Sequence, residues 1–117
     1  MNQIISKYEF DEKFLKFCLF NKNNEKILDF SLSHESECCE TFGMSLIPSD
    51  IQQFINKKIL KITKIKKNNK DDEGSTYTIK IKTDIGSFKI IAYNNHNGYY
   101  THDVNIEYDK VNIIDSI

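Results

Sequence analysis

Apolar and polar positions alternate along much of the chain with the two-residue period of a strand. The clearest stretch is Thr76-Tyr77-Thr78-Ile79-Lys80-Ile81-Lys82, which puts Tyr77, Ile79 and Ile81 on one face for the core. Residues 4–10 read as a weaker first strand that ends at an Asp11-Glu12 turn. Phe14 to Phe20 is apolar at every position except Lys16, as expected of a strand covered on both faces. Asn21-Lys22-Asn23-Asn24 supplies a hairpin turn, and Ile27 to Leu32 returns as its partner strand. Asp84-Ile85-Gly86 is a tight turn into Phe88 to Tyr93. The polar loop Asn94 to Gly98 then leads to a last strand from Tyr99 to Tyr108. Beyond Asp109 the chain is either a short strand or a frayed tail.

One stretch has a different period. After Pro48, Ser49 is placed to cap a helix, and Ile51, Phe54 and Ile55 fall on one helical face. Ile59, Ile62 and Ile65 continue a three-residue spacing that would extend one long helix to about Lys66, yet this stretch is rich in β-branched residues, which prefer strands. The break is placed at Asn56-Lys57, because Asn tolerates the left-handed conformation that ends a helix. The expected fold is therefore α+β: a mainly antiparallel sheet of about six or seven strands on one short helix, about 49–56. All 117 residues form one domain in this reading, with 109–117 as the tail in question.

Composition narrows the functional classes. The formal charge of −1 gives no bulk attraction to nucleic acid or to an anionic membrane. All 16 basic residues are lysines, and an ammonium cannot copy the bidentate fork of arginine, which argues against sequence-specific nucleic-acid reading. No apolar run approaches the roughly 18 residues of a membrane span, and Met1 to Phe10 lacks the pattern of a secretory signal. The expected location is the cytoplasm. Three cysteines, with Cys38 and Cys39 adjacent, do not make a closed disulfide framework and fit a reducing compartment.

The chemical candidates gather in two segments. His34-Glu35-Ser36-Glu37-Cys38-Cys39-Glu40 holds a His and a Cys four apart, so His34 and Cys38 are weak metal candidates. Adjacent cysteines diverge, however, and no C-x-x-C pair exists. The stronger reading has Cys38 or Cys39 plugging the core and His34 capping a turn. A cysteine nucleophile at Cys38 or Cys39, with His34, His96 or His102 as base, would meet Glu35, Glu37 and Glu40, whose charge raises a thiol pKa. Those carboxylates are themselves better read as a solvated face. In the second segment, Asn94 to Tyr100, His96, Asn97, Tyr99 and Tyr100 combine flat aromatic area with adaptable hydrogen bonding, while Gly98 suits a turn. Lys57, Lys58, Lys61, Lys64, Lys66, Lys67 and Lys70 form a basic stretch, read first as lysine protection of an edge strand and second as a strip for phosphates or an acidic surface.

The segments HESECCE at 34–40 and NGYY at 97–100 together resemble a family of small uncharacterised phage and prophage-associated bacterial proteins. Its pattern is a hairpin, a His-x-x-x-Cys-Cys-Glu segment, a short acidic amphipathic helix and a strand meander with Asn-Gly-Tyr-Tyr. The likeness covers about residues 12–108. This chain departs from it in lacking a glycine at Asn56-Lys57 and a tryptophan in the later strands. The resemblance implies a phage or mobile-element setting and supplies no activity, cofactor or catalytic residue.

These readings converge on a non-enzymatic binding protein in the host bacterial cytoplasm. It would occupy a host protein or sequester a small signalling molecule, as a counter-defence factor does, without cofactor or membrane. The binding residues would be His34, Glu37, Glu40, His96, Asn97, Tyr99 and Tyr100, brought together at one end of the sheet. A homo-oligomer is open to it through an edge strand. The alternatives are a small metal- or cysteine-dependent enzyme built on His34, Cys38 and Cys39, and an immunity-type protein that blocks a toxin.

Overall fold

Strands account for nearly all of the architecture, and the reason is visible in how each apolar face is used. The computed structural model describes residues 3–12, 15–32, 41–68, 75–95 and 103–116. Within them lie nine strands. In chain order these are β1 (Lys7–Asp11), β2 (Lys16–Phe20), β3 (Lys26–Leu32), β4 (Thr41–Ile47), β5 (Ile59–Asn68), β6 (Ser75–Thr83), β7 (Gly86–Asn95), β8 (Asp103–Tyr108) and β9 (Val111–Ser116). They form two antiparallel sheets, one ordered β1-β2-β3-β8-β9 and the other β4-β7-β6-β5. Phe17, Leu19, Leu28, Phe30, Val104 and Ile106 from the first sheet meet Met44, Leu46, Tyr77, Ile79, Ile81 and Ile90 from the second in one buried cluster. Phe30 and Tyr77 lie 6.3 Å apart between ring centroids and join the layers directly. Each sheet has one apolar face, and each covers the other.

The expected α+β fold is thus wrong, and the helix over 49–56 is where it fails. Only Gln52–Phe54 winds, as a single 3-10 turn. Ser49 does not cap it. The Asp50 carboxylate instead accepts the Gln52 N–H at 2.9 Å. The three-residue spacing of Ile51 and Phe54 is real, and both are buried, with Phe54 set against Phe88 at 4.7 Å. One turn suffices to bury them. Asn56 then takes φ +69 at the expected break. Its N–H donates to the Ile5 carbonyl at 2.6 Å, while Ile5 N–H donates to Lys57 O at 3.0 Å and Ile59 N–H to Gln3 O at 2.7 Å. The backbone that a longer helix would need is held by strand-like pairing with the N-terminal segment.

The stretch after this break is strand β5, and its isoleucine spacing has a specific cause. The β5–β6 register shifts between Ile59 and Lys61, so Leu60 is an inserted residue. Ile59 opposes Thr83 and Ile62 opposes Ile81, which keeps both on the inner face three residues apart. Past the bulge, Lys64 and Lys66 also lie on the inner side of this edge strand, and Ile65 is turned outward and exposed. Lys66 Nζ reaches Asp115 Oδ1 on β9 at 2.8 Å, and Lys64 Nζ stands 5.3 Å above the Tyr108 ring. Inward charges on two edge strands discourage further strand addition there. Of the lysine stretch over 57–70, the lysines of β5 are therefore divided between the two faces of the sheet, and Lys70 lies outside the described residues.

The remaining differences are local. Of the two readings left open beyond Asp109, a short strand or a frayed tail, the strand is found, over Val111–Ser116. Asp109 and Lys110 both have positive φ and close a two-residue hairpin between Tyr108 and Val111. Strand β4 was not anticipated, because its start adjoins the acidic segment and Gly43 interrupts its pattern. Gly43 stands opposite Tyr93 on β7, whose ring lies over it. A Cβ at residue 43 would sit 2.7 Å from Tyr93 Oη and 2.9 Å from Cζ. We expect Gly43→Ala to displace this ring and cost about 1–2 kcal/mol in denaturant unfolding, and to cost nothing in a Tyr93→Ala background. Equal losses in the two backgrounds would show that the ring is not the cause.

Candidate functional site

The residues singled out for binding, His34, Glu37, Glu40, His96, Asn97, Tyr99 and Tyr100, all lie outside the described residues, as do Cys38, Cys39 and His102. What the described strands fix is the placement of the points where their two segments attach. The chain passes from one sheet to the other between β3 and β4, and returns between β7 and β8. Leu32, at the end of β3, pairs with Val104 at the start of β8. Thr41, at the start of β4, pairs with Asn95 at the end of β7. The two crossings therefore leave and arrive at neighbouring strand ends in both sheets.

A built cluster of chemistry-bearing groups does occur among the described residues, on the outer face of the five-stranded sheet. Lys16, Cys18 and Phe20 alternate with the core residues Phe17 and Leu19 along β2, and Cys18 stands between Glu9 on β1 and Asp29 on β3. Cys18 is only 2% exposed. Its Sγ donates to Asp29 Oδ1 at 3.6 Å. The other carboxylate oxygen of Asp29 takes Lys26 Nζ at 3.2 Å and Lys16 Nζ at 3.9 Å. Glu9, Asp11, Lys16, Cys18, Phe20 and Lys26 line a shallow hollow of about 290 Å³ at this place.

The electrostatics decide what this cluster can do. Burial and the adjacent Asp29 carboxylate push the Cys18 thiol up to about 11, against the weaker pull of Lys16 and Lys26. At neutral pH the sulfur is a protonated, small apolar group with a weak donor, not a nucleophile. Lys26 is held above the ordinary lysine value by its hydrogen bond to Asp29. Cys18 was read from sequence only as part of an apolar run. The signal for the cluster was the shared parity of Lys16, Cys18 and Phe20, but its meaning depended on Asp29 arriving in register.

The metal candidates His34 and Cys38 lie outside the described residues. Among the described residues no three His, Cys, Asp or Glu side chains are grouped as metal ligands. No described helix is long and apolar enough to cross a membrane. A second hollow, of about 280 Å³, is lined by Gln3, Ile4, Ser6, Asn21, Asn23 and Asn56 among others. Asn21 is already committed there, its Oδ1 accepting the N–H groups of Asn23 and Glu25 at 2.9 and 3.0 Å.

The raised thiol makes a pH prediction with a fixed sign. Between the ordinary thiol value of 9.0 and about 11 the unfolded chain loses the Cys18 proton while the folded chain keeps it. Stability must fall as pH rises through that window, by up to about 1.4 kcal/mol per pH unit. Cys18→Ala should unfold with a shallower loss over the same window, measured by urea titration at each pH. An unchanged slope in the variant would place the raised thiol elsewhere.

Neither a curated protein nor a solved structure matches this chain. Its family is nonetheless shown, since one family model runs from residue 4 to residue 106, from the N-terminal pairing segment through most of β8. The chain belongs to the family described as a domain of unknown function, DUF7448.

Proposed function

We propose that this protein is a non-enzymatic binding protein of phage or prophage type, acting in the host bacterial cytoplasm. Its binding surface is the end of the sandwich where the two sheet-to-sheet crossings attach. The observation that supports this reading is the paired attachment of the crossings, Leu32 to Val104 in one sheet and Thr41 to Asn95 in the other. Seven residues with recognition chemistry belong to those crossings: His34, Glu37 and Glu40 in one, and His96, Asn97, Tyr99 and Tyr100 in the other. A rigid sandwich with polar aromatic connections at one end is a common arrangement for binding. The phage setting and a counter-defence role rest on the resemblance of the HESECCE and NGYY segments. The ligand is a host protein or a small signalling molecule.

Native mass spectrometry of protein purified without chelator tests this reading. We expect a retained nucleotide-sized mass, or a stoichiometric host protein, that is lost from Tyr99→Ala and Tyr100→Ala variants of unchanged melting temperature. Truncating a central aromatic contact costs about 2 kcal/mol or more, roughly a thirtyfold loss of affinity. A zinc-sized adduct lost from His34→Ala and Cys38→Ser but kept by the tyrosine variants would replace this reading with a metal- or cysteine-dependent enzyme on His34, Cys38 and Cys39. Tight, strongly salt-dependent capture of one basic protein would instead favour an immunity-type blocker.

A further inference from the structure

The outer faces of the two sheets differ sharply in charge. None of the strands of the four-stranded sheet contains an aspartate or glutamate. Strand alternation puts Lys61 and Lys67 on β5, Lys80 and Lys82 on β6, and Lys89 on β7 on the face opposite the buried Ile79, Ile81 and Ile90. Asp84 lies in the β6–β7 turn, and the run Asp71-Asp72-Glu73 falls outside the described residues. The outer face of the five-stranded sheet, by contrast, mixes Lys7, Lys16 and Lys26 with Glu9, Asp29 and Glu107.

The placement of four of these lysines is costly for the folded chain alone. Lys61 stands directly opposite Lys82, and Lys80 directly opposite Lys89. Such pairs hold their Cβ atoms about 5 Å apart, and like charges so placed are destabilising. Lys80 and Lys82 are also next neighbours on one face, about 7 Å apart along the strand. Lys7, Lys16, Lys26 and Lys66 each have a carboxylate at 3.9 Å or less. Among the described residues, none of the four face lysines has one. A quartet of cations that repel one another and have no carboxylate partner among the described residues is the complement of an external polyanion.

We infer that this face binds the phosphate backbone of nucleic acid without reading sequence. Thr63, Thr76, Thr78 and Ser87 alternate among the lysines with hydroxyls suited to phosphate oxygens. Arginine, which would read base edges, is absent from the chain. On the central strands β6 and β7 the face presents Lys80, Lys82, Lys89 and Thr78 together with the half-buried Ile91 and Tyr93, whereas the exposed Ile47 and Ile65 stand on the edge strands β4 and β5. A protein interface gathers its exposed apolar side chains at the centre and polar ones at the rim, whereas here the exposed ones lie at the edges. A lipid surface would likewise take apolar side chains at its deepest contact. None of these residues belongs to the crossings proposed above for the principal ligand, so each proposal stands or falls alone.

Fluorescence anisotropy of a labelled oligothymidylate of about twenty nucleotides, titrated with the full chain, tests the inference. Four lysine contacts should give a log–log salt slope of about −3, at about 0.7 per phosphate on a single strand. Lys80→Gln/Lys89→Gln should weaken binding at low salt at least about tenfold and make the slope shallower by about 1.4, two lysines at about 0.7 each. Lys22→Gln/Lys110→Gln carries the same charge change in turns of the other sheet and should bind as wild type. Melting of the Lys80/Lys89 variant should not fall, because a repulsive pair is relieved. If that variant does not fold, Lys61→Gln/Lys82→Gln serves with the same expectation. Absence of salt-dependent binding, equal losses in face and control variants, or tighter binding to phosphatidylserine vesicles than to the oligonucleotide would overturn it.

Discussion

The mutual covering of two apolar sheet faces is the interaction on which the rest of this structure depends. Among the described residues neither sheet has another element of any size to bury against. Phe17, Phe30, Leu28 and Ile106 on one side and Tyr77, Ile79, Ile81 and Ile90 on the other are almost wholly withdrawn from water. At about 25 cal/mol per Å² of apolar surface, this layer is the main force opposing chain entropy. It also fixes every strand register, because a slip by one residue would turn a core face out to solvent.

That constraint explains the irregularities better than local preference does. The bulge at Leu60 lets both Ile59 and Ile62 reach the core, and in doing so it assigns the lysines of β5. Lys64 and Lys66 are turned to the seam with β9, where Tyr108 and Asp115 receive them. Lys61 and Lys67 are turned to the outer face. Without the inserted residue, the two sets would exchange sides. The charge contrast between the two outer faces is thus a consequence of packing, since neither composition nor net charge announces it.

The same logic separates the two kinds of chemistry in the molecule. Cys18 sits inside a strand whose neighbours hold it between carboxylates and lysines, and burial beside Asp29 leaves its thiol protonated and quiet. The polar segments 33–40 and 96–102 are the connections between the two sheets. A scaffold held by one dense apolar layer tolerates wide variation in such crossings. This is the physical basis for seeking function there and stability in the strands.

The chain by itself determined most of its strands, because period-two alternation in Tyr77-Ile79-Ile81 or the paired runs around Asn21-Asn24 needs no tertiary knowledge to read. It also determined the left-handed break at Asn56, where Asn is one of few residues that adopt such a φ easily. Only the tertiary structure decided that Ile51 and Phe54 need a single turn and no helix, because the N-terminal segment takes the backbone groups at Asn56, Lys57 and Ile59. Strand β4 was likewise decided by β7, whose Tyr93 covers the glycine that hid it. Cys18 acquired its raised thiol, and the lysines of β5 their opposite faces, from partners distant in sequence. Periodicity is local and legible in a sequence, whereas register, bulges and ion partners are set by which strand lies alongside.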